Sequence, residues 1–206
     1  MSNRHPPTDS HQPHRLQRAR VAVCGLVLAG ALLAYAAPAV EATADEPLVL
    51  LALGAPGEET YAPVLEKAAQ DWERACQAAS AQLQIIGRGP TNAVPDLDQL
   101  RSHLEAAPKE APSELWLVFV GHGTFDGRDA KFNLRGPDLG AETLADWLNP
   151  FRRPLVLVHG GSASGPFLTG LSAPGRVVIT ATRSSEEQNY ARFGAVFAAT
   201  VADPTA

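Results

Sequence analysis

Residues 115–123 read LWLVFVGHG and residues 155–165 read LVLVHGGSASG. In each, an apolar, β-branched run too short for a helix ends abruptly in glycine and polar residues, which predicts a buried strand delivering a loop. Strands that carry apolar residues on both faces belong to parallel sheets, and open α/β sheets bind ligands beyond the carboxyl ends of their strands. Chemistry is therefore expected at the loops that hold His122 and Ser162.

Working outward, 48–53 (LVLLAL) is a short apolar strand closed by Gly54-Ala55-Pro56-Gly57. The spacing of Tyr61, Val64, Leu65, Ala68, Trp72 and Ala75 predicts a helix over 61–79. Pro63 is tolerated in its first turn, where the missing N–H has no intrahelical partner. A second strand, 83–86, ends at Gly87-Arg88-Gly89-Pro90, and a second helix spans 96–105, with Asp96 as its cap and Gln99 in capping-box position. After a loop at 106–112 and the strand that ends at His122, the segment 124–140 reads as a polar substrate-side loop or small hairpin. In it Gly136-Pro137-Asp138 makes a turn, with Asp138 facing the next helix. A third helix (141–148), the strand 155–158 ending near His159, a helical turn (166–171), a fifth strand (176–180, RVVIT) and a last helix (189–202) complete the pattern. Five alternations of strand and helix predict an α/β fold. Its sheet would be mostly parallel, of about five to six strands in the order 2-1-3-4-5, with helices on both faces. Arg183, Glu186 and Glu187 are expected to rim the cleft or cap the last helix.

The chain has 206 residues, 45% of them hydrophobic, enough for one core and too few for two ordinary domains. Residues 21–40 carry no charge and follow Arg4, Arg15, Arg18 and Arg20; Ala37-Pro38-Ala39 and Ala42-Thr43-Ala44 then offer cleavage sites. This predicts a signal peptide within 1–44, with an uncleaved membrane anchor as its rival, ahead of an exported (periplasmic or extracellular) domain over 45–206. Without the leader, 17 basic and 22 acidic residues fall to 13 and 20, a net charge of −7. That balance argues against a nucleic-acid partner. Cys24 lies in the leader, so Cys76 is alone in the exported part. No internal disulfide and no zinc spacing follow, and its place in a helical run reads as a buried apolar residue. No cofactor or metal is expected.

The pair of strand-loop motifs resembles the caspase and legumain-like cysteine peptidases. In that family one strand ends in His-Gly and the next in an acidic-Ala-Cys-x-Ser-Gly pattern. The resemblance spans 48–202 and implies a three-layer caspase-like fold of the same strand order. It also implies that His122 matches the catalytic histidine, and that the N–H groups of Gly123 and Ser162 match the oxyanion hole. The segment Ala181-Thr182-Arg183-Ser184 falls where the family builds part of its substrate pocket, so Arg183 and Ser164 are the candidate substrate-binding residues. The family normally adds elements after the fifth strand, so the resemblance implies a minimal version or one completed by a partner. Aligning Ser164-Gly165 with the family's Ser-Gly puts Ser162 at the nucleophile, and Gly160-Gly161 where the acidic-Ala pair belongs.

Serine for cysteine changes the chemistry. An imidazole readily holds a thiol as thiolate, whereas a hydroxyl must give up its proton to a base that usually needs an acid behind it. Asp126 and Asp129 follow His122 closely, but they sit in the polar loop. Bland readings stand beside the catalytic one: His122 as a strand-end histidine, Ser162 and Ser164 as turn and helix N-cap residues, and His159 as a satisfied loop histidine. Pro166 stands where a phosphate loop needs lysine, and neither serine has the flanking glycines of a nucleophile elbow. The sequence thus predicts an exported, non-catalytic pseudopeptidase that binds peptide or protein segments. The alternatives are a serine-type hydrolase using Ser162 and His122, and a structural domain without a ligand.

Overall fold

The computed structural model describes residues 46–91 and 94–205; the predicted leader lies outside them. Strand β1 (Leu48–Leu53) is buried along its whole length. Leu48, Leu50 and Ala52 enter one core, and Val49, Leu51 and Leu53 enter another on the opposite face. A strand with two dry faces needs neighbours on both edges, and β1 has them in β2 (Gln82–Ile86) and β3 (Leu115–Val120). Beyond β3 lie β7 (Leu155–His159) and β8 (Arg176–Thr180), all in parallel register. The order β2-β1-β3-β7-β8 is the predicted 2-1-3-4-5.

Helices α1 (Ala62–Ala78) and α5 (Phe193–Val201) cover the face carrying Val49 and Leu51. Helices α2 (Asp96–Ala106), α3 (Ala141–Leu148) and α4 (Gly165–Leu171) cover the other. Helix α1 buries Leu65, Ala68, Ala69, Trp72 and Cys76 as a single stripe. It ends where Ser80 turns left-handed (φ 51°) and the Ala81 N–H returns to the Cys76 carbonyl at 2.9 Å, a capping geometry that satisfies an end carbonyl. Cys76 is buried as predicted, and desolvation pushes its thiol up to about 11.

Of the two readings of 124–140 the hairpin holds: β4 (Gly123–Phe125) and β5 (Ala130–Phe132) pair antiparallel, and β6 (Leu139–Gly140) extends them to three strands whose Phe132 and Leu139 are buried in the main core. Other local expectations are corrected. Asp96 does not cap α2, where Pro95 holds the N-cap position without a side-chain bond. Its carboxylate instead accepts two hydrogen bonds from Arg135, at 2.8 and 2.9 Å, and so ties the small sheet to α2. Asp138 faces back into its own turn, accepting from the Leu134 N–H at 3.1 Å. Helix α5 starts at Phe193 rather than 189, which leaves Asn189 and Tyr190 in the preceding loop. Tyr61 belongs to a short 3-10 turn before α1, not to its apolar stripe.

Candidate functional site

The loops after β3 and β7 meet because glycine lets them. A Cβ on Gly123 would lie 2.1 Å from the Ser162 carbonyl oxygen, and one on Gly160 would lie 2.5 Å from the Cα of Gly194 in α5. No larger residue fits either approach. The loop after β1 joins them: Gly54 N–H donates to the Val120 carbonyl and Ala55 N–H to the Asn133 carbonyl, both at 2.9 Å, while Asn133 N–H donates to the His122 carbonyl at 3.0 Å. Three segments therefore converge where the strand order reverses between β1 and β3, the place open α/β sheets favour for ligands.

His122 is half-buried against two tyrosines. Its ring lies 4.9 Å from that of Tyr61, nearly perpendicular, and 4.8 Å from that of Tyr190; the tyrosines themselves are 4.5 Å apart. Desolvation lowers the His122 pKa, partly offset by the field of the Glu58 carboxylate, so the imidazole is neutral at pH 7. These residues open onto a cavity of about 450 Å³ that also meets Gly123, Thr124, Asn133, Gln188 and Asn189.

Ser162 is in the adjoining loop, yet its hydroxyl points elsewhere. The side chain is buried (1% exposed), with Oγ donating to the Gly123 carbonyl at 2.9 Å and accepting from the Gly123 N–H at 3.2 Å. Among the described residues no hydrogen bond joins His122 to Ser162 or to a carboxylate. Ser162 is not among the residues around the cavity. The structure thus brings the two loops together without pairing imidazole and hydroxyl, and the Gly123 N–H expected to receive an oxyanion is held by Ser162 itself. The next residue, Ala163, sits left-handed (φ 51°), a strained conformation for a residue with a Cβ, and its N–H is held by the Glu187 carbonyl at 2.9 Å.

Ser164 occupies the N-cap position of α4 without capping it. Fully buried, it meets Thr182, whose Oγ1 accepts from the N–H groups of Ser164 (2.8 Å) and Gly165 (3.2 Å) while Thr182 N–H donates to Ser164 Oγ at 3.0 Å. Thr182 therefore satisfies the helix start from across the sheet edge. The Arg183 side chain is 94% exposed and pairs loosely with Glu187 at 3.5 Å. Neither Arg183, Ser164, Glu186 nor Glu187 touches the cavity.

His159 is enclosed by Phe119, Phe132 and Phe167, with ring centroids 5.6, 5.3 and 4.3 Å away. Its Nδ1 accepts from the Gly161 N–H at 3.3 Å, which puts the ring proton on Nε2; that atom has no acceptor among the described residues. Burial pushes its pKa down to about 3. No cluster of histidine, cysteine or carboxylate side chains able to hold a metal occurs among the described residues.

The residues that sequence reasoning missed are Glu58, Tyr61, Asn133 and Tyr190. The loop after β1 carried a usable signal: a Gly-Ala-Pro-Gly turn at the carboxyl end of a central strand flanks the crevice in this strand order. No protein-family model matches the chain, and no curated protein matches it.

Proposed function

We propose that residues 45–206 form an exported, caspase-like domain that binds peptide or protein segments in the His122 cleft without cleaving them. The observation that carries this reading is the commitment of Ser162 Oγ to both backbone groups of Gly123. A nucleophilic serine needs its proton directed at a base, whereas this proton goes to a carbonyl. Support for the caspase-like architecture comes from the strand order, from helices on both faces, and from His-Gly after β3 with Ser-x-Ser-Gly after β7. An open cavity lined by rings and amide side chains suits an extended peptide better than a small closed substrate.

Two measurements test the reading. A fluorophosphonate probe labels only activated serines; the expected result is no labelling of Ser162, and stoichiometric labelling would establish the serine hydrolase instead. Passing a peptide library over the immobilised domain should retain a subset of sequences. Retention that survives replacement of both Tyr61 and Tyr190 by leucine would place binding outside this cleft.

A further inference from the structure

The wall of the His122 cleft carries one ionisable carboxylate and no lysine or arginine. Glu58 supplies the carboxylate, and it makes no ion pair among the described residues. On neighbouring segments Lys131 meets Asp126 and Arg183 meets Glu187, while Arg192, whose charge reaches Tyr190, borders a different hollow against α1 and lies outside the cleft wall. His122 is neutral at pH 7 and adds no positive charge. The rest of the wall consists of aromatic rings, Tyr61 and Tyr190 foremost, and of amide side chains that can accept hydrogen bonds, such as Asn133 and Gln188. An acidic side chain entering here would meet Glu58 with no lysine or arginine in the wall to offset it. A cationic one would find a free carboxylate beside a stacked pair of phenol rings.

We propose that the cleft selects a basic side chain, arginine or lysine, of its bound peptide. The inference rests on the peptide-binding reading above and names the class of residue that reading leaves open. Three labelled peptides differing at one position, acetyl-Ala-Ala-Arg-Ala-Ala-amide and its citrulline and glutamate counterparts, separate the contributions. Citrulline keeps the shape and most hydrogen-bonding groups of arginine and removes its charge.

The arginine peptide should bind about fivefold more tightly than the citrulline peptide, the gain expected of a half-exposed ion pair with a cation–π contact. The glutamate peptide should bind weakest. In Glu58→Gln, whose folding is checked by an unchanged thermal midpoint, the arginine advantage should fall to less than about twofold while citrulline affinity stays the same. Equal binding of arginine and citrulline peptides, or a preference for glutamate, overturns the basic specificity and leaves peptide binding intact. An arginine advantage that persists in Glu58→Gln also overturns it, because the charge would then be read elsewhere. Failure of all three peptides to bind also overturns the basic specificity, since a selected arginine should carry the peptide by itself; an empty peptide-library screen is the separate result that removes the peptide-binding reading.

Discussion

The Ser162 hydroxyl both donates to and accepts from the backbone of Gly123, so removing it leaves two buried groups without partners. Ser162→Ala should cost about 1–3 kcal/mol of stability, read as a lower urea midpoint at unchanged slope. A serine kept only for nucleophilic attack would be deleted at no such cost. His159 offers a second test at this scale. Its folded pKa is pushed down to about 3, against 6.5 for the free side chain. Between those values the unfolded chain takes up a proton that the folded protein refuses. Stability is therefore complete above pH 6.5 and falls as the medium is acidified, by about 1 kcal/mol per pH unit from this group. In His159→Phe, which suits a pocket of three phenylalanines, the decline should be shallower. Urea titrations at pH 7, 6 and 5 compare the two proteins, and parallel slopes would show that His159 gains its proton without unfolding.

Among the elements, contact between α5 and the end of β7 depends on the missing side chain of Gly160, whose Cβ would strike Gly194 at 2.5 Å and the Phe119 carbonyl oxygen at 2.8 Å. Gly160→Ala should destabilise by about 3 kcal/mol, since backbone must move on both sides. Gly140→Ala, at a site with open space and φ −87°, should cost no more than about 1 kcal/mol, the loss of a glycine from the N-cap of α3. Thermal denaturation of the pair checks the contrast. The five strands of the main sheet were legible because apolar runs buried on both faces stand out between glycines and prolines, and their adjacency followed from alternation with helices. Of strands β4 to β6 only the possibility of a small hairpin was legible, because two or three residues are too few to show an alternating pattern. Asp96 was misread because a cap and an ion pair draw on the same side chain, and its partner Arg135 is distant in sequence. The meeting of the His122 and Ser162 loops could be read from the strand order. The direction of the Ser162 hydroxyl could not, since its partner is backbone and leaves no trace in side-chain identity.

For the molecule as a whole, the buried carboxylate of Asp96 and the guanidinium of Arg135 form an ion pair that, beside a backbone hydrogen bond between the same residues, ties the small antiparallel sheet to α2. Asp96→Asn should lower stability by about 2 kcal/mol, less than a fully buried pair because Arg135 retains some solvent contact and its bond to the Gly89 carbonyl. The small sheet also carries Asn133 into the cleft wall, so the same substitution should weaken peptide binding. Unchanged binding at reduced stability would mean that the cleft is held without that sheet.

Pro47, just ahead of β1, and Val201, at the end of α5, border one small hollow beside Trp116. His122 lies past the opposite ends of the strands, one six-residue strand or about 20 Å away. The start of β1 and the end of α5 are thus neighbours on the side remote from the cleft. Spliced through two short linkers into a surface loop of a carrier protein, residues 46–205 should fold as an insert and display the cleft outward, with neither junction across its mouth.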